Sequence, residues 1–306
     1  MEKKVSVVIP SYNRGYILEK TIPSYLQDEV AELILVDDAS TDDTPTVVKR
    51  LQEKFPIIKY IRLEKNMKQP AATNRGIEVA KYPYIYFGDD DSFILPGTIA
   101  FLMDTMNKKK ADIVSALAVY AKRERDITNP QELISREAPL FQEGDVMIDF
   151  FHLEKANFCY RVKDPVEVPF AQACALIKSQ IAKENLIDVS YEGNAYREET
   201  DFFLRCGERG AKMFLDSRGV QINYPFSMIN RTRTLRSMWR HGFYDILNTM
   251  KLIDRHHWWF KKKYHYPHSK IWMKAMYIVN SACFYLYILP GRLWGILKRN
   301  IRRGYE

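Results

Sequence analysis

Short apolar runs alternate with amphipathic stretches through the first 90 residues of the chain. Residues 5–9, 33–36 and 84–87 are almost continuously apolar, which is typical of strands buried on both faces of a parallel sheet. Amphipathic segments of helical length separate them, the arrangement of strands joined by helical crossovers. The pattern predicts an α/β fold with a mostly parallel sheet and helices on both of its faces.

Polar residues follow three of these strands directly, at Pro10–Tyr12, at Asp37-Asp38 and at Asp89–Asp91. In open α/β sheets, ligands bind beyond the carboxyl ends of the strands. Parallel strands bring these ends to one edge of the sheet. We therefore expect the three polar segments to form a single site.

Three consecutive carboxylates, Asp89, Asp90 and Asp91, end the strand at 84–87. Carboxylates repel one another and are costly to bury unless a cation or hydrogen bonds compensate them. Asp89 and Asp91 could frame a site for a hard divalent ion, which prefers oxygen ligands and often shares substrate phosphates. The alternative is a solvated acidic turn before a helix that begins near Pro96, because Asp is favoured in turns and caps.

Five motifs occur along the chain in a fixed order. They are VVIPSYN at 7–13, LVDDASTDDT at 35–44, NRGI at 74–77, YIYFGDDD at 84–91 and REETD at 197–201. Together they resemble the family 2 glycosyltransferases, and the resemblance covers about residues 4–225. It implies a GT-A (Rossmann-like) fold, transfer of a sugar from a nucleotide-diphosphate donor with inversion at the anomeric centre, and Mn²⁺ or Mg²⁺ as cofactor.

The resemblance also implies roles for residues that would bind the donor. It places Pro10 and Tyr12 in the nucleotide cradle, Asp38 against the base, and Lys68 near the base or the phosphates. Tyr12 could instead pack within its loop, and Lys68 could be a solvated loop charge. For Asp37 we expect a structural role as a cap or hydrogen-bond acceptor.

The acidic strand end matches the metal-binding segment of the family. Asp91 is implied as the direct metal ligand, with Asp89 as a second ligand, and Asp89 or Asp90 nearer the ribose. A bound divalent ion would stabilise the charge that develops on the leaving phosphates.

A catalytic base is implied at 197–205, where the family commonly has Glu-Asp at the start of a helix. Here the second position is Glu199, whose side chain is one methylene longer, and Glu198 and Asp201 are its rivals. A positioned carboxylate can take the proton of an attacking sugar hydroxyl. Alternatively, all three acidic groups merely favour the positive end of a helix.

Two positions depart from the family pattern. Thr73 stands where many relatives carry Arg, and Arg75 points elsewhere on a helix because it is two positions further on. Residues 220–225 lack the late His that many relatives have there. Metal dependence is expected in spite of this second departure.

The last 78 residues differ in composition from the rest of the chain. Residues 229–306 contain sixteen Lys or Arg against three Asp or Glu, which leaves a net charge of −5 for residues 1–228. All five tryptophans also lie in this basic tail. Basic and aromatic residues together are typical of an anionic membrane surface, with a homodimer interface or core packing as alternatives. Bases could stack on these aromatics, but no nucleic acid partner is expected.

The 306-residue length fits a catalytic domain at 1–228, with a donor half at about 1–122 and an acceptor half at about 123–228, followed by a helical region at 229–306. The four cysteines lack metal-ligand spacing and indicate reduced thiols. With no apolar leader before Val5, we expect a cytoplasmic protein, peripheral on the inner face of the cell membrane.

The predicted function is transfer of a sugar, in polysaccharide biosynthesis, to a saccharide or lipid-linked acceptor. A nucleotidyltransferase is the alternative enzyme, although it would need a glycine-rich phosphate loop after the first strand. A non-catalytic scaffold that binds glycans or membranes is the alternative outside enzymes.

Overall fold

A computed structural model of the chain describes residues 4–142, 145, 159–229 and 235–283. The strands are β1 (Val5–Ser11), β2 (Val30–Asp37), β3 (Ile58–Arg62), β4 (Tyr84–Phe87), β5 (Ser92–Ile94), β6 (Ile113–Tyr120), β7 (Val166–Glu167), β8 (Ala175–Lys178) and β9 (Met213–Asn223). The helices are α1 (Gly15–Thr21), α2 (Thr44–Lys54), α3 (Lys68–Val79), α4 (Thr98–Lys109), α5 (Glu124–Thr128), α6 (Pro130–Glu137), α7 (Ser179–Asn185), α8 (Glu198–Glu208), α9 (Leu235–Tyr264) and α10 (270–283).

The strands form one sheet in the order β3-β2-β1-β4-β8-β6-β9-β5, with β7 paired to β9. Strands β1 to β4 run parallel, and Val7 lies opposite both Leu33 and Tyr86. Strand β8 is antiparallel to β4 and β6, and β6 runs parallel to β9. The ends of β1, β2 and β4 therefore meet at one edge, as the apolar pattern predicts.

Helices cover both faces of the sheet. Successive side chains of a strand point to opposite faces, so Val7 and Ile9 pack against α1, α2 and α4. Val8, between them, packs on the opposite side with residues of α3, α8 and α9. The predicted α/β fold with helices on both faces is confirmed.

Part of the basic tail belongs to the hydrophobic core on the side of the sheet that Val8, α3 and α8 share. Leu252 and Phe260 of α9 and Met273 and Tyr277 of α10 are buried with the aromatic residues of α8. The described part of the tail thus packs against the sheet and its helices. The domain boundary at 228 stays a prediction. In the described part of the chain, no helix is both long enough and apolar enough to cross a bilayer.

The predicted acceptor half begins with the short helices α5 and α6. Residues 143–144, 146–158 and 230–234 lie outside the described residues. Helix α3 begins at Lys68. The reason is a tertiary contact at its first residues, described below.

Candidate functional site

A cleft with a volume of about 420 Å³ opens beyond the ends of β1, β2 and β4. It is lined by Pro10, Ser11, Tyr12, Arg14, Asp38, Gln69, Ala72, Asp89, Asp90, Asp91, Tyr120 and Asn223. The structure brings the three polar strand ends together here. Most of the predicted donor-binding residues therefore share one cavity.

Asp38 faces this cleft and also fixes the start of α3. Its buried carboxylate accepts hydrogen bonds from the backbone N–H of Met67 at 2.6 Å and of Lys68 at 2.9 Å. Burial raises the pKa of Asp38, and these two bonds partly offset that effect. These bonds draw the chain into α3 at Lys68, whose side chain is exposed and is not among the cleft-lining residues.

Asp37 has the structural role that the sequence favoured. Its buried carboxylate accepts hydrogen bonds from the backbone N–H of Ser40 at 2.8 Å and from the hydroxyl of Tyr60 at 2.5 Å. Arg62 also donates to it, at 3.2 Å. Because these donors already bind its carboxylate, Asp37 secures the loop after β2 and is not a cleft residue.

Asp89 is the first carboxylate of the acidic strand end. Its carboxylate accepts a hydrogen bond from Gln221 Nε2 at 2.8 Å, and its backbone N–H and C=O both contact the buried Tyr25 hydroxyl at 3.2 Å. Burial raises the pKa of Asp89 well above its usual range, and repulsion from Asp91 and Glu199 raises it further. The group therefore has too few donors for a buried carboxylate.

Arg14 supplies the positive charge next to the other two carboxylates. Its Nε lies 3.2 Å from Asp90 Oδ1 and its Nη2 lies 3.6 Å from Asp91 Oδ2. Its Nη1 donates to the backbone oxygen of Ile229 at 3.3 Å. Burial raises the pKa of Asp90 to about 6, although the charge of Arg14 opposes this shift.

Helix α8 brings two more carboxyl groups towards the strand end. Its cap residue, Arg197, has a left-handed backbone (φ 79°), after which Glu198 and Glu199 form the first turn. Burial raises the pKa of Glu199 to about 7 and raises that of Glu198 well above its usual range. Glu199 is not among the cleft-lining residues, but its charge is close enough to Asp89 to raise that pKa.

Asp201, the other rival for the base, has a different environment. Its fully buried Oδ1 accepts hydrogen bonds from Arg255 Nη1 at 2.6 Å and from the Tyr191 hydroxyl at 3.0 Å, and it contacts His256 Nε2 at 3.0 Å. Arg205 Nε donates to Oδ2 at 2.8 Å. Burial would raise the pKa of Asp201, but these donors outweigh burial and lower it. This arrangement favours Glu199 and Glu198 over Asp201 as a base.

Sequence reasoning did not single out Arg14, Tyr25, Tyr120, Gln221 or Asn223. Gln221 and Asn223 lie in the segment where the family's late His is missing, so that absence was the available signal. Arg14 follows the motif at 7–13 directly, but nothing in that motif indicates which carboxylates it would reach. Arg75 pairs with Glu78 at the surface, at 3.3 Å, in agreement with its expected orientation away from the site.

The chemistry of the site fits a divalent cation. Asp90 and Asp91 pair with the Arg14 guanidinium, and Asp89 lies close enough to Asp91 and Glu199 to be repelled by both. Carboxylate oxygen is the ligand that Mn²⁺ and Mg²⁺ prefer. Among the described residues, no group of three or more His, Cys, Asp or Glu converges to hold a metal alone. One or two carboxylates with substrate phosphates would suffice.

Comparisons with solved structures give the same fold. S. aureus TarS 1-349 in complex with UDP aligns with a TM-score of 0.53 and 16% identity, over 81% of this chain and 65% of that one. The mannosyltransferase PcManGT from Pyrobaculum calidifontis, in complex with GDP-Man and Mn²⁺, aligns with a TM-score of 0.55 and 18% identity, over 83% and 65% of the two chains. Both are GT-A folds.

Comparisons of sequence give the family. A Campylobacter jejuni protein named GalNAc(5)-diNAcBac-PP-undecaprenol beta-1,3-glucosyltransferase is 38% identical over 114 residues, 36% of this chain and 37% of that protein. The Staphylococcus aureus poly(ribitol-phosphate) beta-N-acetylglucosaminyltransferase TarP is 29% identical over 119 residues, 37% and 36% of the two chains. The chain thus spans little more than a third of these relatives. The profile of the family described as "Glycosyl transferase family 2" matches residues 6–184, more than half of the chain, and the chain belongs to that family.

Proposed function

We propose that the chain is an inverting glycosyltransferase. It moves a sugar from a nucleotide-diphosphate donor, a UDP-sugar in the first instance, to a hydroxyl of a saccharide or lipid-linked acceptor. The observation that carries this proposal is the pairing of a strand-end cleft holding Asp89–Asp91 with a nearby carboxyl group, Glu199, whose pKa is raised to about 7. Family membership, a structural neighbour in complex with UDP, and a relative named for an undecaprenol-linked acceptor support it.

In this proposal the nucleotide lies over Pro10 and Tyr12, beside Asp38, with the exposed Lys68 near the cleft. Asp91 and Asp89 hold Mn²⁺ or Mg²⁺ together with the donor diphosphate. When bound, the ion stabilises the negative charge that develops on the leaving diphosphate. Arg14 stays in the cleft as a second positive charge.

Glu199 acts in its ionised form. It accepts the proton of the acceptor hydroxyl as the hydroxyl oxygen bonds to the anomeric carbon and the bond from that carbon to the diphosphate oxygen breaks. A single displacement inverts the centre and needs no covalent sugar–protein intermediate. A pKa of about 7 suits a base at neutral pH, because the ionised fraction and the proton affinity are then both substantial.

Nucleotide release from a panel of UDP- and GDP-sugars, with and without Mn²⁺, tests this function. We expect release that requires an acceptor, a metal and Glu199, with Glu199→Gln as the inactive control. Pyrophosphate release from a nucleoside triphosphate and a sugar phosphate would instead establish the nucleotidyltransferase. Tight donor binding with no release under any condition would establish the scaffold.

The exposed face of the C-terminal helices supports a membrane location for this activity. Phe243, Leu247 and Trp258 are exposed at helical spacing along α9, and Ile271 and Ile278 are exposed along α10. The two faces adjoin, because Lys274 of α10 pairs with Asp254 of α9 at 2.6 Å. The apolar face of this helix pair is defined as these five apolar residues.

Basic residues border the apolar face. Lys261, Lys262, Lys263 and Lys270 are exposed at the turn between the two helices. In the proposal, this face lies on the anionic inner surface of the cell membrane, where a lipid-linked acceptor is within reach. Each basic residue near such a surface contributes about 1 kcal/mol, and inserted apolar side chains add a component that salt does not screen.

Sedimentation with vesicles tests the membrane location. We expect binding to vesicles of phosphatidylglycerol and phosphatidylcholine, but not of phosphatidylcholine alone, and weaker binding as salt rises. Ile271→Glu should reduce it. The matched control is Phe101→Glu on α4, which packs on the opposite face of the sheet. A dimer in solution that Ile271→Glu converts to a monomer, without vesicle binding, would establish a homodimer interface instead.

A further inference from the structure

We propose that Arg255 and His256 of α9 are positioning residues for Glu199. Through their contacts with Asp201, they fix the orientation of α8 from the side of the helix that faces α9. This inference rests on the proposed function, because it takes Glu199 as the base. It gives the basic tail a part in catalysis that is independent of any membrane contact.

The orientation of α8 carries the argument. Glu199 and Asp201 are two positions apart, so their side chains diverge by roughly 200° around the helix axis. Glu199 interacts with Asp89 of the strand end, whereas Asp201 is turned into α9 and is fully buried. A rotation of α8 that moved Asp201 away from α9 would therefore move Glu199 relative to the cleft by a similar angle.

His256 fixes α8 at two points. Its Nε2 lies 3.0 Å from Asp201 Oδ1 and its Nδ1 lies 2.7 Å from Glu208 Oε1. These two carboxylates are seven residues apart on α8, which is about two helical turns or roughly 10 Å. The imidazole is fully buried, and each of its two ring nitrogens faces an acidic side chain of α8. Contacts at two positions along α8 restrain both its rotation about its axis and its tilt.

Arg255 connects the same carboxylate to the loop that leads into α8. Its Nη1 donates to Asp201 at 2.6 Å and its Nη2 donates to Asp188 at 2.9 Å. Nearer the start of α9, the Asn248 side chain accepts a hydrogen bond from the backbone N–H of Glu192 at 3.2 Å and donates to its C=O at 3.0 Å. The approach to Glu199 is thus held by α9 before the helix begins as well as along it.

A contact of this kind could also contribute only to stability, and the chain supplies a control for that reading. His257 is the next residue of α9 and is also buried, but its Nε2 contacts the backbone oxygen of His268 at 3.0 Å and its ring packs edge-on against Tyr266. His257 therefore anchors α9 to the segment that follows it. Loss of its side chain should destabilise α9 without releasing α8.

The test compares His256→Ala with His257→Ala in the full chain. For His256→Ala we expect kcat per folded molecule to fall about 10- to 100-fold, the size of effect that a misplacement of about 1 Å produces. The Kd for UDP should change little, because the donor cleft belongs to the strand ends. Backbone amides of 198–204 should exchange hydrogen faster. His257→Ala should lower Tm but leave kcat and that exchange unchanged.

A conservative variant sharpens the test. His256→Gln retains one donor for Asp201, so it should recover part of the lost kcat. Arg255→Lys keeps the charge but loses the two-armed contact, and it takes the place of His256→Ala if that variant does not fold. We expect Arg255→Lys to lower kcat in the same direction and by a smaller factor.

Two outcomes would overturn the positioning role. The first is a His256→Ala variant with the kcat and amide exchange of the wild type. The second is a parallel loss of kcat in both histidine variants that follows their loss of Tm. A wild type that releases no nucleotide from any donor would reject the proposed function, whereas the exchange at 198–204 would still show whether His256 holds the start of α8.

Discussion

Two clusters of carboxylates meet at α8, one at Glu199 and the other two residues later at Asp201, and their pKa values shift in opposite directions. In the strand-end cluster, Asp89, Asp90 and Glu199 all have raised pKa values. In the helix cluster, Asp201 and Asp188 have lowered pKa values. Burial acts in the same direction in both clusters, so burial cannot be the cause of the difference.

The number of donors is the cause. Two cationic side chains, Arg205 and Arg255, and the His256 imidazole contact the helix cluster, whereas Arg14 is the cation that the described structure places in the strand-end cluster. A fully compensated cluster holds a structure together. An under-compensated one stores electrostatic free energy that a metal ion or a proton can release, which is typical of functional sites.

The largest expected effect is a loss of kcat when the strand-end cluster is changed at Glu199. Glu199→Gln removes the proposed base, so kcat should fall by about 10²- to 10⁴-fold. The Kd for UDP and the Tm should stay near those of the wild type, because the lost carboxyl group repels Asp89 and does not stabilise the fold. Steady-state kinetics and calorimetric titration measure both. Full activity of Glu199→Gln, with loss in Glu198→Gln, would transfer the role to Glu198.

The free energy of unfolding should depend more on the helix cluster than on the strand-end cluster. Asp201→Asn removes the buried negative charge that Arg205, Arg255 and His256 contact. Breaking a fully buried ion pair costs about 3–5 kcal/mol, and because Arg205 and Arg255 are partly exposed, water offsets part of that loss, so we expect a cost towards the lower end of this range. Urea unfolding measures the difference. Asp90→Asn, which removes a repelled carboxylate, serves as the matched variant and should cost far less. Equal losses in the two variants would contradict the distinction drawn from donor number.

Asp91→Asn tests whether the strand-end cluster serves a metal. Loss of one ligand should weaken Mn²⁺-dependent UDP binding and lower transfer on the order of 10²-fold. Titration of UDP with and without Mn²⁺ separates this from a loss of nucleotide contacts, because metal-free binding should hardly change. Activity near that of the wild type in excess Mn²⁺ would remove Asp91 from the metal site.

The smallest effect concerns pH. Asp90 and Glu199 have folded-state pKa values of about 6 and 7, above those of unfolded chains, so the folded protein binds more protons between roughly pH 4 and 7. Stability should therefore fall as pH rises through this window. Tm in EDTA from pH 5 to pH 8 measures it, and the double variant Asp90→Asn/Glu199→Gln should flatten the curve. A wild-type Tm that rises over this range would contradict the shifts.

Much of the fold follows from local sequence. The apolar runs at 5–9, 33–36 and 84–87 predicted β1, β2 and β4, because a run without polar alternation suits a strand buried on both faces. Pro45 lies in the first turn of α2, a position that proline fits because its fixed φ suits a helix start. The order of strands then determined that Pro10–Tyr12, Asp38 and Asp89–Asp91 would meet.

The tertiary structure decided which acidic residue does what. Glu199 and Asp201 are indistinguishable as carboxylates near a helix start, and only the packing of α9 shows that Asp201 is bound by Arg255 and His256. Gln221 reaches Asp89 across 132 residues, and Arg14 reaches Asp90 across 76. A pKa depends on donors brought together from distant parts of the chain, so spacing along the sequence cannot predict it.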